Sequence, residues 1–165
     1  VALGSFHIEL TFFAALGKII AESGGPFVLS ESGILAKGSI NSLISGKNYK
    51  RCKRIHEILS LAMQSLHFEK FLSQEEINIE ELCYISDEAD RIKFSFSANF
   101  EFSKEVEELF SKYRQYYNES ERGSHGKTAK FWIQCVNLWQ LYHDLVRSIS
   151  SGNFELYVAC FQKIT

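Results

Sequence analysis

The sequence predicts a mainly α chain, a single helical domain over residues 1–165, and three patterns predict it. The first is an amphipathic run, residues 8–20, that stops at Ser23-Gly24-Gly25. The second is the series Cys52, Ile55, Leu59, Ala62 and Leu66, whose spacings of three and four mark a core-facing helical stripe. The third is a doubled series in residues 127–150: Phe131, Cys135, Leu138, Tyr142, Leu145 and Ile149 lie beside Trp132, Val136, Trp139 and Val146. Two adjacent stripes imply burial over a wide arc, so this is expected to be the central, most buried helix.

The elements follow in order. Val1-Ala2-Leu3 reads as the end of a short strand and Gly4-Ser5 as a small-residue turn into the first helix. A second helix is expected over residues 27–36, with Pro26 at or before its first turn and Gly38 after its end. A helical turn, 39–45, closes at Gly46, and a long helix covers 48–72. Ser73-x-x-Glu76 has the capping-box pattern of a further, acidic helix. In residues 77–102, Ile92-Lys93-Phe94-Ser95-Phe96 alternates like a strand until Ser97-Ala98-Asn99 interrupts it. Ser103 is placed to cap a helix carrying Val106, Leu109, Phe110, Tyr113 and Tyr117, and residues 118–126 read as a flexible polar loop. Ser151-Gly152-Asn153 breaks the central helix and recaps a last one bearing Phe154, Tyr157, Val158, Phe161 and Ile164. The apolar start and the uncapped end read as those of a fragment, and truncation at both edges is expected. Apolar surface near residues 1–3 and 161–164 is then expected to meet missing parts of a longer chain or to drive self-association.

With 45% hydrophobic and 23% charged residues, the chain has ordinary globular usage and enough length for a real core. A formal net charge of -2 gives no global attraction to nucleic acid or anionic membrane, so an electrostatic partner must be sought in local clusters. No apolar run approaches the roughly 18 residues of a membrane span, and Glu9, Lys18 and Glu22 interrupt the nearest candidate; no membrane partner is expected. Cys52, Cys83, Cys135 and Cys160 are scattered without a Cys-x-x-Cys pair, which excludes common zinc-finger spacings. Three of them fall on apolar stripes as buried thiols, which favours a reducing, intracellular setting, the nucleus included. No metal and no cofactor is expected.

The candidate chemistry begins with Lys47, Lys50, Arg51 and Arg54, which share one helical face at i, i+3, i+4 and i+7, with Lys53 beside them. Such a face grips phosphates, and it is also what a solvated face looks like, with Glu75, Glu76, Glu80 and Glu81 as an intramolecular complement. His7 and Glu9 form a His-x-Glu pair, the weak catalytic candidate, but the Pro-Cys-x-x-Cys of zinc deaminases is missing. On a helix the two point about 200 degrees apart and cannot share a metal. His56-Glu57 is followed by Ser60 where a zincin needs its second histidine. His143, on an apolar stripe, reads as a core histidine, and Ser124-His125 lacks the glycine elbow of a hydrolase. Gly24-Gly25 lacks a phosphate loop's lysine, and Tyr113, Tyr116, Tyr117, Trp132 and Trp139 read as core, not as a base-stacking platform.

The segments Gly4-Ser5-Phe6-His7-Ile8-Glu9-Leu10, Gly17, Ser23-Gly24, Gly46-Lys47-x-Tyr49 to Arg54-x-His56, Phe131-Trp132 and Gly152-Asn153-Phe154-x-Leu156-Tyr157 together resemble a family of animal proteins found in transposable-element-like genes. That family has no established activity to carry over. Its longer members place an Asp-bearing strand before the Gly-Ser-Phe-His segment, a layout similar to an RNase H-like transposase core with a helical insertion. This sequence departs from a two-metal nuclease, which needs several converging carboxylates, because Glu9 is the single acid near that turn. The resemblance implies a non-catalytic helical segment of a transposon-derived protein that contacts DNA or protein. The alternatives are an incomplete part of a metal-dependent nuclease, with His7 and Glu9 at the rim of its site, and a plain helical interaction domain.

Overall fold

A computed structural model describes residues 5–77, Cys83, Asp87 and 103–163. The chain is mainly α, with no strand among the described residues. The order is α1 (Ser5–Ala21), α2 (Gly25–Glu31), a 3-10 turn (Lys37–Ser39), α3 (Ile40–Ile44), α4 (Tyr49–Gln74), α5 (Lys104–Arg122), α6 (Lys127–Ser151) and α7 (Phe154–Gln162). The expected strands at residues 1–3 and 92–96 lie outside the described residues.

Local chemistry sets the boundaries. The Ser23 hydroxyl donates to the Ile20 carbonyl at 2.7 Å and accepts the Gly25 amide at 3.0 Å, which ends α1 and starts α2, with Pro26 in the first turn. α2 is shorter than residues 27–36: it stops at Glu31, and the Leu35 amide folds back to the Leu29 carbonyl at 3.0 Å, burying both leucines. Ser103 and Asn153 cap α5 and α7 through their side-chain oxygens. Ser73 lies in the last turn of α4 and opens no new helix there, because the chain turns immediately after it and Glu76 takes φ +54°. Residues 118–122, expected as part of a loop, continue α5, whose amphipathic face extends to buried Ser120; the turn is confined to 123–126, between Gly123 (φ +98°) and Gly126 (φ +96°).

The chain divides into two compact units, Val1–Ala62 with Gln134–Thr165, and Met63–Ile133; α4 and α6 contribute residues to both. In the first unit, α1 and α3 touch backbone to backbone. A Cβ on Gly17 would sit 2.3 Å from the Ile44 carbonyl oxygen. Gly46, at φ +67°, faces the Leu10 carbonyl oxygen, 2.9 Å from where its Cβ would be. Leu141, Leu145 and Cys160 form a buried cluster with Ile8, Ile149, Leu156 and Tyr157, so α7 covers α6 with one face. Its other face leaves Phe154, Val158 and Phe161 exposed. In the second unit Phe71, Val106, Tyr116 and Ile133 are buried.

The doubled stripe of α6 is inward-facing throughout: Cys135, Val136, Trp139, Tyr142 and Leu145 are buried and the other members half-buried. The α4 stripe is inward only in its first half. Cys52, Ile55 and Leu59 are buried, whereas Ala62 and Leu66 are exposed and the inner positions become Ser60, Met63, His67 and Phe71. No single described helix is long and apolar enough to cross a membrane.

Candidate functional site

His7 and Glu9 lie on α1, where two residues' separation turns them to different sides of the helix. His7 is exposed; Glu9 is buried, and its Oε2 accepts both the Tyr49 and the Tyr142 hydroxyl at 2.7 Å. The structure does not bring His7 and Glu9 together. A carboxylate oxygen taking two phenol donors is satisfied internally, as a buried charge must be. Burial and the bond to Glu9 push the Tyr142 hydroxyl's pKa well up, and the Glu9 bond, then burial, raises that of Tyr49.

Below this carboxylate, Phe13 lies 4.9 Å from the Tyr142 ring and stacks on His56, with ring centroids 5.2 Å apart and planes 4° from parallel. The Trp139 indole N–H donates to His56 Nδ1 at 3.1 Å, which leaves the neutral imidazole's proton on Nε2. That Nε2 is buried and has no hydrogen-bond partner among the described residues. Burial lowers the His56 pKa to about 4, so the ring is neutral at ordinary pH. The sequence shows His56-Glu57 only as a pair that fails the zincin pattern; the role of His56 as Trp139's acceptor depends on a residue 83 positions away.

The second unit holds another histidine centre. His67 Nε2 lies 2.9 Å from the Ser120 hydroxyl and Nδ1 3.2 Å from the Tyr113 hydroxyl, with the Tyr116 and Tyr117 rings against its own. A serine and a histidine at this distance have the atoms of a nucleophile and its base. Ser120, however, is fully buried, so no substrate reaches it. His125, in the turn before α6, stacks on Tyr116 at 4.4 Å and stands 3.4 Å from Glu119 Oε2. Burial, then the neighbouring His125, lowers the His67 pKa. His143 corrects the sequence reading: it is exposed, because its neighbour Tyr142 takes the inward position.

The basic residues are placed differently. Lys47, Lys50, Arg51 and Arg54 are all exposed and Lys53 is half-buried, but the four do not share one helical face as their spacing suggests: α4 starts at Tyr49, so Lys50, Arg51 and Arg54 are helical and Lys47 lies in the approach before it. Asn48 fixes that start, its side-chain oxygen accepting the Arg51 amide at 3.2 Å. Arg51 Nη1 donates to the Ser39 hydroxyl at 2.8 Å, which ties the guanidinium to the 3-10 turn. None of the four forms an ion pair with a described residue. Of the acidic run, Glu75 pairs instead with Lys112 at 3.6 Å, and Glu80 and Glu81 lie outside the described residues. Cys52, Cys135 and Cys160 are buried free thiols, their pKa values raised by burial, that of Cys135 to about 11. No cluster of three metal-ligating side chains occurs among the described residues.

Fold and site together define a mainly α chain whose described buried polar groups are largely engaged with one another and whose α4 start presents exposed basic residues. The chain belongs to a family described as a domain of unknown function, DUF8702, and the match covers residues 1–165. No curated protein and no solved structure matches it.

Proposed function

We propose that the chain is a non-catalytic helical scaffold, part of a transposon-derived protein, that contacts nucleic acid through Lys47, Lys50, Arg51 and Arg54. The observation that carries this reading is the exposure of all four, Lys50, Arg51 and Arg54 on the first turns of α4 and Lys47 just before it, without an acidic partner among the described residues. Phosphate contacts by such side chains release counterions and give binding that weakens steeply with salt. The absence of catalysis is supported by what the reactive side chains do: Glu9 is held by two tyrosines, His56 by Trp139, and Ser120 by His67 inside the core.

The test is binding of a fluorescent DNA duplex at low salt, followed by anisotropy, with Arg51→Glu/Arg54→Glu as the comparison. Binding by the native chain, lost in the variant while its helical circular dichroism is unchanged, supports the proposal. No binding at low salt, or equal binding by the folded variant, overturns it.

A further inference from the structure

Resting on that reading, we infer that the basic face takes duplex nucleic acid by its phosphate backbone alone, without stacking or reading bases. The argument comes from what stands among the cations. Between residues 47 and 54 the sole aromatic is Tyr49, and it is turned inward, its hydroxyl donating to Glu9 at 2.7 Å and its ring 6.0 Å from Phe13. Proteins that hold single strands add to a positive groove aromatic faces on which successive bases lie. Here the aromatic that sequence position would offer is committed to the interior, and long, exposed cationic side chains remain.

Their spacing fits a backbone. From Lys50 to Arg54 the helical face runs about 6 Å at 1.5 Å per residue, and Lys47, two residues before the helix starts at Tyr49, extends the row of cations to what about three phosphates of a duplex would occupy. The Ser39 hydroxyl holds Arg51 on this face at 2.8 Å, which keeps a guanidinium in place before any ligand arrives. Phosphate contacts of this kind orient a protein on nucleic acid but carry no sequence information. Exposed aromatics elsewhere in the unit are Phe27 on α2, at 69%, and Phe154 and Phe161 on α7; Phe27 supplies the control.

The experiment compares four labelled probes by anisotropy: two duplexes of unrelated sequence and two single strands of the same length. Each is titrated with the native chain, with Phe27→Ala and with Arg51→Glu/Arg54→Glu. The expected result is equal affinity for the two duplexes within about twofold and no preference for single strands. Affinity for duplex should fall about 40-fold between 50 and 200 mM salt, as about three phosphate contacts require. Phe27→Ala should bind as the native chain does, and the double charge reversal should not bind. Tighter binding to single strands, a clear preference between the duplexes, or a loss in Phe27→Ala overturns backbone-only recognition while leaving nucleic-acid contact standing. Failure of every probe to bind at low salt removes both.

Discussion

The indole N–H of Trp139 and the Nδ1 of His56 meet at 3.1 Å in a core where the two residues are 1% and 2% exposed. The bond fixes the imidazole as a neutral acceptor, and burial lowers its pKa from 6.5 to about 4. Above pH 6.5 neither the folded nor the unfolded chain protonates this group, and it contributes no pH dependence. As pH falls toward 4, the unfolded chain takes up a proton that the folded chain refuses, so stability declines through that window. The loss expected by pH 4 is about 1–3 kcal/mol, at up to about 1.4 kcal/mol per pH unit. His56→Asn keeps an acceptor for Trp139 and removes the proton site. Urea unfolding at pH 7, 5.5 and 4 should therefore show a shallower decline in the variant, and parallel declines would refute the assignment.

Glu9 couples α1 to α4 and α6 through two hydroxyls, and their environments differ. Tyr142 is buried and Tyr49 half-buried. Hydrogen bonds to a charged group contribute about 1.5–3 kcal/mol. Tyr142→Phe should therefore cost about 2–3 kcal/mol and Tyr49→Phe less, while Glu9→Ala, which strands both hydroxyls, should cost more than either. The raised pKa of Tyr142 has a matching consequence at high pH. Above pH 10 the unfolded tyrosine ionises while the folded one holds its proton, so stability falls as pH rises. Titration from pH 9 to 11 should show Tyr142→Phe less sensitive than the native chain. Equal sensitivity would place the alkaline transition elsewhere.

The α1 and α3 crossing leaves no room for a side chain at position 17. Because the atoms within 2.7 Å of a Cβ there are all backbone atoms of Ile44, the strain cannot be relieved by a rotamer change. Gly17→Ala should destabilise by about 1–3 kcal/mol despite alanine's better helix propensity, and Gly17→Leu should fail to fold. Gly38→Ala, where nothing lies within 4 Å, is the control and should be near neutral. A stabilised Gly17→Ala would mean that the two helices separate in solution.

The mainly α class and the inward faces of α6 were legible because periodic apolar residues lie close in sequence, where spacing alone reports geometry. The caps Ser103 and Asn153 were legible for the same reason. The buried polar centres were not. Glu9 finds Tyr142 133 residues away, and His67 finds Ser120 53 residues away; no local pattern marks either partner. The helical register expected of Lys50, Arg51 and Arg54 is met on α4, but Lys47 falls before the helix starts at Tyr49, and Ser39's hold on Arg51 spans α3 and the connection after it, which no local pattern marks. The 118–126 segment shows the opposite case: its polar composition reads as a loop, yet Tyr116 and Ser120 carry the helix's inner face onward.

Along α4 the apolar alphabet and the structure disagree, and the disagreement can be measured. Spacing from Cys52 placed Leu66 on the inner stripe, yet Leu66 is 57% exposed and Phe71 is 0% exposed. The inner positions of the second half include Ser60 and His67, whose polar side chains hid the stripe from a reading based on hydrophobic residues. Phe71 packs against Phe68, Tyr113 and Tyr116, with ring centroids 5.1–6.0 Å away, and lies one helical turn from His67. Removing its ring should leave a cavity beneath that cluster and cost about 3–5 kcal/mol. Leu66→Ala removes a side chain already largely in water and should change stability by about 0.5 kcal/mol or less. Chemical denaturation of the two variants decides between the registers. A large loss in Leu66→Ala with a tolerated Phe71→Ala would restore the stripe that spacing alone suggests and overturn the inward placement of His67.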